Sequence, residues 1–589
     1  MSKKYLQLAL LVILFLLNLN LLAQQQTTEQ SLQGFDEYVT KTMADWKVQG
    51  CGIAIVKNGA VIYAKGFGYR DVKNNLPADE NTLFAIGSCT KAFTSTGVCI
   101  LVDQGKIDLD KPVINYIPTF KLYDDYTTMN ITPRDLMCHR SGLPRHDFVW
   151  YGSDLSRKEI IDRLRYLEPS KPFRTSFQYQ NMMFLSAGYL TEQVSGMQWE
   201  DYIKENILTP LDMSNTDFTV NAMQQTGDYS KPYRDEKSIV KEIPFREISA
   251  MAPAGAINSS VKEMANWMIM QLNNGSYNGK QIVSSSSMNE MHTPQMNVPS
   301  ALTKDVFYQS YGLGWFITSY RGHLRVEHGG NIDGFTADVA LYPMDSIGIV
   351  ILTNMENTTL NSIVRNYAMD KFFGLEEIDW NARFLPDFKK SEEDNKDEES
   401  NKDKDRVPDT EPSHNLSDYT GTFENPAYGK MIISMKDDKL HLSYHTFESE
   451  LVHFHYDVFR VEPESIEGMK LSFFINSKGQ IDKVSSLLEP SIKEIEFTRA
   501  PETKAVDFSK YIGSYELNET VVSVSERGDK ALILTVPGQP AYELVSTIVN
   551  EFDIKGLAGY SVSFNVAGNA ASELVFHQPN GVFTAKRKM

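Results

Sequence analysis

The spacing of apolar residues changes period several times along this chain, and each change marks a structural element. Over residues 50–71 two apolar runs flank Asn58-Gly59, a pair suited to the positive φ angles of a type I′ turn, so this stretch predicts a hairpin. Phe93, Gly97, Ile100 and Leu101 then recur at helical spacing, with Gly105 placed to stop the run. A mixed region to about Gln281 holds further helices, one of them over 182–195 and closed by Gly196. Strands return near Tyr311 and over 324–327, 335–342 and 347–353, the last two joined across Pro343-Met344-Asp345-Ser346. A closing helix is predicted over 360–373. Strands at both ends with helices between them predict an α/β (α+β) domain whose sheet is built from the two extremities of residues 28–375.

Periodicity then stops. Residues 389–406 are almost wholly charged or polar and have no apolar stripe to bury, so a solvated linker is expected over 389–412, extended by Pro408 and Pro412. An internal repeat follows, in which Asp418-Tyr419-Thr420-Gly421-Thr422-Phe423-Glu424 echoes Lys510-Tyr511-Ile512-Gly513-Ser514-Tyr515-Glu516. Leu471-Ser472-Phe473 likewise parallels Val562-Ser563-Phe564. Short alternating runs with glycine turns predict two small all-β modules, barrels or sandwiches, over 413–500 and 505–589. Neither copy carries a catalytic constellation, so packing, oligomerisation or substrate gating is their expected role.

Composition narrows the function classes. The 58 basic and 76 acidic residues leave a formal net charge of −18, which repels phosphate backbones and makes nucleic acid a poor partner. Lys3 and Lys4 precede an apolar stretch over 6–22, with Ala23 as a small residue where a signal peptidase can cut. Residues 1–23 therefore read as a signal peptide, and the mature chain is expected to be periplasmic or secreted, with no membrane span. Four cysteines (Cys51, Cys89, Cys99, Cys138) in so long a chain do not form a disulfide framework, and buried free thiols are expected, although spacing leaves one bridge open. There is no CxxC, HExxH or clustered His/Asp pattern, so neither metal nor cofactor is expected.

Gly87-Ser88-Cys89-Thr90-Lys91 opens the first predicted helix. Residues three apart share a helix face, so the Ser88 hydroxyl and Lys91 amine adjoin there. A desolvated lysine loses its proton more readily and can activate a serine. Alone the pattern is weak, since an N-cap serine with a surface lysine gives the same letters. Tyr179-Gln180-Asn181 and His328-Gly329-Gly330 follow in order, the latter expected to end a strand. Together the three resemble the S-x-x-K, Y-x-N and K-T-G or H-x-G motifs of the penicillin-binding protein and class C β-lactamase superfamily. Two longer stretches, 131–144 and Tyr311-Gly312-Leu313-Gly314-Trp315, look like the same family.

That resemblance covers roughly residues 35–373 and implies a β-lactamase/D,D-peptidase-like domain, with an antiparallel sheet flanked by helices, followed by lipocalin-like β modules. It implies Ser88 as nucleophile, with Lys91 and Tyr179 sharing proton transfer. Asn181 would orient the substrate amide and Lys91, His328 would line the cleft, and Gly329 and Gly330 would let substrate approach the backbone. The backbone N–H groups of Ser88 and Asn331 would form an oxyanion hole. Two departures stand out: His328 replaces the K-T-G lysine, and Pro172-Phe173-Arg174 stands where P-G usually precedes Y-x-N. A neutral histidine weakens recognition of a free carboxylate. Arg174 is either the replacement cation or a surface ion pair. His139, His146 and Asp147 read as loop-ordering residues rather than a second triad. The expected activity is acyl-enzyme hydrolysis of small peptides, D-amino-acid amides or esters. β-Lactamase or D-Ala-D-Ala carboxypeptidase activity and a non-catalytic cell-wall sensor are the alternatives. The expected partners are a small-molecule or short-peptide substrate and a second copy of the chain, met through the β modules.

Overall fold

Early and late strands meet in one sheet. The computed structural model describes residues 30–588 except 237, 401–402, 463–468, 502–506, 528–530, 549 and 558. The stretch expected to be a signal peptide lies outside the described residues. Nine antiparallel strands are β1 (Gly50–Lys57), β2 (Ala60–Asp71), β3 (Leu76–Pro77), β4 (Met296–Asn297), β5 (Gln309–Tyr311), β6 (Phe316–Tyr320), β7 (His323–Ile332), β8 (Phe335–Tyr342) and β9 (Ile347–Thr353). Their spatial order is β4-β5-β6-β7-β8-β9-β1-β2-β3, and the seam between chain extremities pairs Cys51 of β1 with Thr353 of β9. Asn58 and Gly59 have φ of 51° and 78°, as the predicted hairpin requires.

Side chains alternate across this sheet and build a core on each face. Ala54, Val56, Val350 and Leu352 join one core, while Ile53, Ile55, Ile349 and Ile351 join the other. Helix α4 (Val261–Leu272) covers the first face, with α2 (Thr90–Asp103) and α3 (Asn181–Ser195) packed in the same core. Helices α1 (Phe35–Asp45) and α5 (Leu360–Phe373) cover the second. Gly196 caps α3 at φ 76°. All four cysteines are buried and unpaired.

Two elements differ from expectation. β7 does not end at His328-Gly329-Gly330, because the ladder to β8 carries on through Gly329–Asp338, Gly330–Ala337 and Asn331–Thr336. The charged segment is not wholly a linker, because helix α6 (Trp380–Ser400) runs into it. Trp380, Phe384 and Phe388 recur every fourth residue, and Phe388 packs on Trp46 with ring centroids 4.6 Å apart. The Glu- and Lys-rich continuation favours helix by propensity once that start is anchored.

The chain divides into two compact units, Met1–Ala500 and Pro501–Met589. The first holds the mixed domain and one closed eight-stranded barrel, from Gly421–Asn425 to Ile495–Arg499. The second is another closed eight-stranded barrel, from Gly513–Leu517 to Gly581–Arg587. Of the two forms the sequence left open, both modules take the barrel. Each closes the same way, with Phe423 opposite Arg499 in the first and Tyr515 opposite Arg587 in the second.

Glycine places β7 against the turn that carries Ser88. A Cβ on Gly330 would be driven into the Ile86 carbonyl and stand 3.0 Å from Ser88 N, whereas one on Gly329 would meet only Ala337 O at 3.7 Å. Gly330→Ala is expected to destabilise the protein by roughly 2 kcal/mol or more, and Gly329→Ala to leave the unfolding midpoint nearly unchanged. Paired denaturation curves check this.

Candidate active site

Ser88 sits in a single 3₁₀ turn, Gly87–Cys89, that leads directly into α2. Gly87 holds φ 49°, and a Cβ there would lie 2.8 Å from Asn331 N. With Gly330 close to Ser88 N, the backbone amides of Ser88 and Asn331 are thus brought near one another across the turn and β7. Ser88 is half-buried and faces a cleft of about 190 Å³ that Arg145, Asp147, Tyr151, Asn181 and Asn331 also line.

Lys91 is fully buried, one helical turn beyond Ser88. Its Nζ lies 2.9 Å from Ser88 Oγ and donates to the Ala254 carbonyl at 2.8 Å. Among the described residues no carboxylate forms an ion pair with it. Burial pushes its pKa well below the usual lysine value, and the nearby Arg145 charge pushes the same way. The amine is therefore poised to accept a proton.

Tyr179 lies over this pair, with Lys91 Nζ 4.9 Å from its ring centroid and Arg145 Cζ 5.2 Å from it. Burial raises its pKa, and the hydrogen bond with Ser88 and the Arg145 charge only partly offset that. The phenol therefore keeps its proton, which leaves it the donor's part in the proton transfer expected of it and Lys91. Asn181 opens α3 and its amide donates to Asp147 Oδ1 at 3.1 Å, and among the described residues no hydrogen bond joins it to Lys91, which it was expected to orient.

His328 is not a cleft-lining residue. Only 2% exposed, its ring donates from Nδ1 to the Gly329 carbonyl (2.6 Å) and accepts at Nε2 from the Tyr311 hydroxyl (2.8 Å). Burial, with the Lys91 charge, pushes its pKa down to about 3, so the ring is neutral. Of the two glycines expected to admit substrate, Gly329 is exposed with only Ala337 O in ordinary contact range, and Gly330 serves the approach of β7 to the Ser88 turn. Arg174 is not in the cleft, because it clasps the buried Asp135 carboxylate with two bonds of 3.0 and 2.6 Å.

His139, His146 and Asp147 do not assemble as a triad. His139 Nδ1 accepts the Gln180 N–H at 3.0 Å and so fixes the Tyr179 turn. Asp147 accepts from Arg145 Nε (2.6 Å), Trp150 Nε1 (3.0 Å) and Asn181. Sequence reasoning missed Arg145, whose side chain is 52% exposed and supplies the positive charge at the cleft. Its only signal was its place directly after Pro144, at the end of a family-like stretch.

The first barrel grips the segment carrying Arg145 and Asp147. His146 donates its backbone N–H to Glu489 (2.9 Å), and its ring Nδ1 lies 2.7 Å from the Tyr428 hydroxyl. Tyr444 donates to the Phe148 carbonyl (2.8 Å), His445 Nδ1 to the Tyr151 carbonyl (3.1 Å) and Thr446 N–H to the Gly152 carbonyl (3.0 Å). The Tyr151 ring stacks on Phe447 at 5.8 Å and its hydroxyl donates to Asp333 at 2.7 Å. One wall of the cleft is therefore held from outside the mixed domain.

Comparison with known proteins agrees with this architecture. Residues 35–372 match the family model described as Beta-lactamase, and residues 405–500 match a domain of unknown function, DUF3471. The unguisins hydrolase ungD' of Aspergillus campestris is 30% identical over 435 residues, which cover 69% of this chain and 78% of that protein. Protein flp of Staphylococcus aureus is 29% identical over 353 residues, covering 58% of this chain and 66% of its own. An octameric penicillin-binding protein homologue from Pyrococcus abyssi has a similar fold, with a TM-score of 0.53 at 24% identity, covering 79% of this chain and all of that one.

Phe447→Ala removes the ring beneath Tyr151 and is expected to lower kcat/KM for acyl substrates at least about tenfold through misplacement of the cleft wall. Because Phe447 is buried the midpoint falls as well, so retained circular dichroism and a cooperative unfolding transition separate this from loss of fold.

Proposed function

Because the chain belongs to the Beta-lactamase family over residues 35–372, a family of serine hydrolases, we propose that Ser88 is its nucleophile and forms an acyl-enzyme. The observation that carries this reading is the 2.9 Å approach of the buried, pKa-lowered Lys91 amine to Ser88 Oγ at the floor of a cleft. Lys91 takes the hydroxyl proton as Ser88 Oγ attacks the substrate carbonyl. Tyr179, still protonated, hands its proton to the leaving amine or alkoxide and is reprotonated from Lys91. The Ser88 and Asn331 amides bind the carbonyl oxygen as it gains negative charge. Water then attacks the acyl carbon, losing its proton to the same pair, and Ser88 is released as the leaving group.

The charge of the cleft bears on the substrate class. Asp147, Asp333 and Glu356 face it, balanced on the lining by Arg145 alone, while Arg246 and Arg234 hold the other two carboxylates. With each carboxylate paired to an arginine the cleft carries no excess charge, and the substrate class rests on the neutral, buried His328, which offers no anchor for a free carboxylate. D-Amino-acid amides, esters or short peptides fit this better than penicillins or terminal D-alanine. The basic residues before the apolar run over 6–22 support export. Among the described residues, no helix is long and apolar enough to cross a membrane.

Ser88→Ala is expected to abolish covalent labelling by a fluorophosphonate and to cut acyl-substrate turnover by about 10³-fold or more. Labelling retained at another residue rejects the assignment, and nitrocefin turnover matching that of D-amino-acid esters rejects the substrate class.

The pH profile has a defined sign. Lys91 must be neutral to act, so kcat/KM falls as pH drops through its lowered pKa. Removing the Arg145 charge lets that pKa rise, so Arg145→Gln is expected to move the acid limb to higher pH. A limb that stays in place, measured on an ester whose own ionisation is constant, contradicts the assignment of Lys91 as base.

A further inference from the structure

The two barrels repeat each other in register, and the comparison exposes a site in the second. Gly421 pairs with Ile433 and Ile433 with Leu442, just as Gly513 pairs with Val524 and Val524 with Leu534. In the first barrel the hairpins at one end carry Tyr428, Tyr444 and Phe447, and that end receives residues 146–152. None of these three rings has a counterpart in the second barrel, where Pro540 stands at the register position of Phe447. Tyr428 belongs to a three-residue turn closed by Asn425 and Gly429, whereas Leu517 and Thr520 close a two-residue turn. Val536 stands at the position of Tyr444, two residues beyond the equivalent leucines.

The space left is a cavity of about 650 Å³, lined from all four hairpins of that end. Val522, Leu534, Val536, Ile554 and Phe576 form its floor and walls, with Phe583 at the rim. The opposite end of the barrel is closed by the Tyr511, Phe552 and Phe564 rings, with Tyr511 donating to Asn550 Oδ1 at 2.7 Å. Among the described residues the cavity opens at the end opposite those rings. Its volume lies within the range of small-molecule sites, about 300–1,000 Å³.

Among the described residues the lining contains no acidic or basic side chain, and its polar groups are amides, a threonine and tyrosine hydroxyls. An ionised group would leave water there without finding a charged partner, which disfavours it against a neutral one. We propose that the second barrel binds a neutral, largely apolar small molecule that carries an uncharged hydrogen-bonding group. A polypeptide loop is a poorer occupant. The first barrel holds main chain through Tyr444 and Glu489, while Val536 and the tight Pro579-Asn580 turn between Gln578 and Gly581 offer neither group.

The test titrates the full-length protein with N-phenyl-1-naphthylamine, an uncharged fluorescent probe, and then displaces it with dodecanol or dodecanoate. One saturable site per chain is expected, with dodecanol competing at least about tenfold better than dodecanoate. Val536→Tyr restores one of the missing rings and Phe583→Asp puts a charge at the rim. Each is expected to weaken probe binding at least about tenfold, with circular dichroism and the unfolding midpoint showing that the barrel persists. No saturable binding, binding unchanged in both folded variants, or preference for dodecanoate overturns the proposal. So does an oligomer that excludes the probe until Phe583→Asp separates it into monomers, because a second copy then fills the cavity.

Discussion

The contact between β7 and the Ser88 turn constrains everything else at this site. Two backbones approach so closely at Gly330 and Gly87 that no side chain fits at either position. The turn cannot move without β7, and β7 is held by its ladder to β8. Beneath that ladder, Arg365 of α5 reaches Asp338 Oδ2 at 2.5 Å and Glu327 at 2.8 Å, so the last helix of the mixed domain props the strand. Buried ion pairs of this kind add little net stability but penalise any other arrangement of their elements. The position of one hydroxyl is thus set by the sheet, the ion pairs and a helix more than 270 residues away in sequence, roughly half the chain.

Burial acts in opposite directions on the two proton carriers. It pushes the Lys91 pKa down and the Tyr179 pKa up, separating an acceptor from a donor within one cleft. The two histidines nearest to them, His139 and His328, are also driven neutral, so they add no positive charge beside Lys91. The buried amine has a cost. Below the normal lysine pKa the unfolded chain binds a proton that the folded protein excludes, so this group opposes folding near neutrality and does so less as pH rises.

Much of the fold was readable in order. The strands Phe335–Tyr342 and Ile347–Thr353 and the helix Leu360–Phe373 fall where alternation and helical spacing put them, because each buries a continuous apolar pattern. The course of β7 through two glycines was not readable, since glycine carries no face, and its pairing with β8 is a long-range fact. Helix α6 was hidden by its charge, because a few apolar residues at its start, Trp380, Phe384, Leu385 and Phe388, anchor it. Ser88, Lys91 and Tyr179 could be named from motif order, and the structure brings them together. Arg145 could not, since a lone arginine in an irregular loop has no period, and the barrel that holds its loop lies far along the sequence.

That separation orders events during synthesis. His146 and the Tyr428 hydroxyl that fastens it are 282 positions apart, and the fastening residue leaves the ribosome second. The nascent chain holds its serine and lysine long before the far wall of the cleft can be locked, and domains generally fold as they emerge. A chain interrupted after α6 would carry the complete chemical pair beside an unfastened loop. The finished shape of the cleft therefore waits for the first barrel, which acts as a late-arriving clasp.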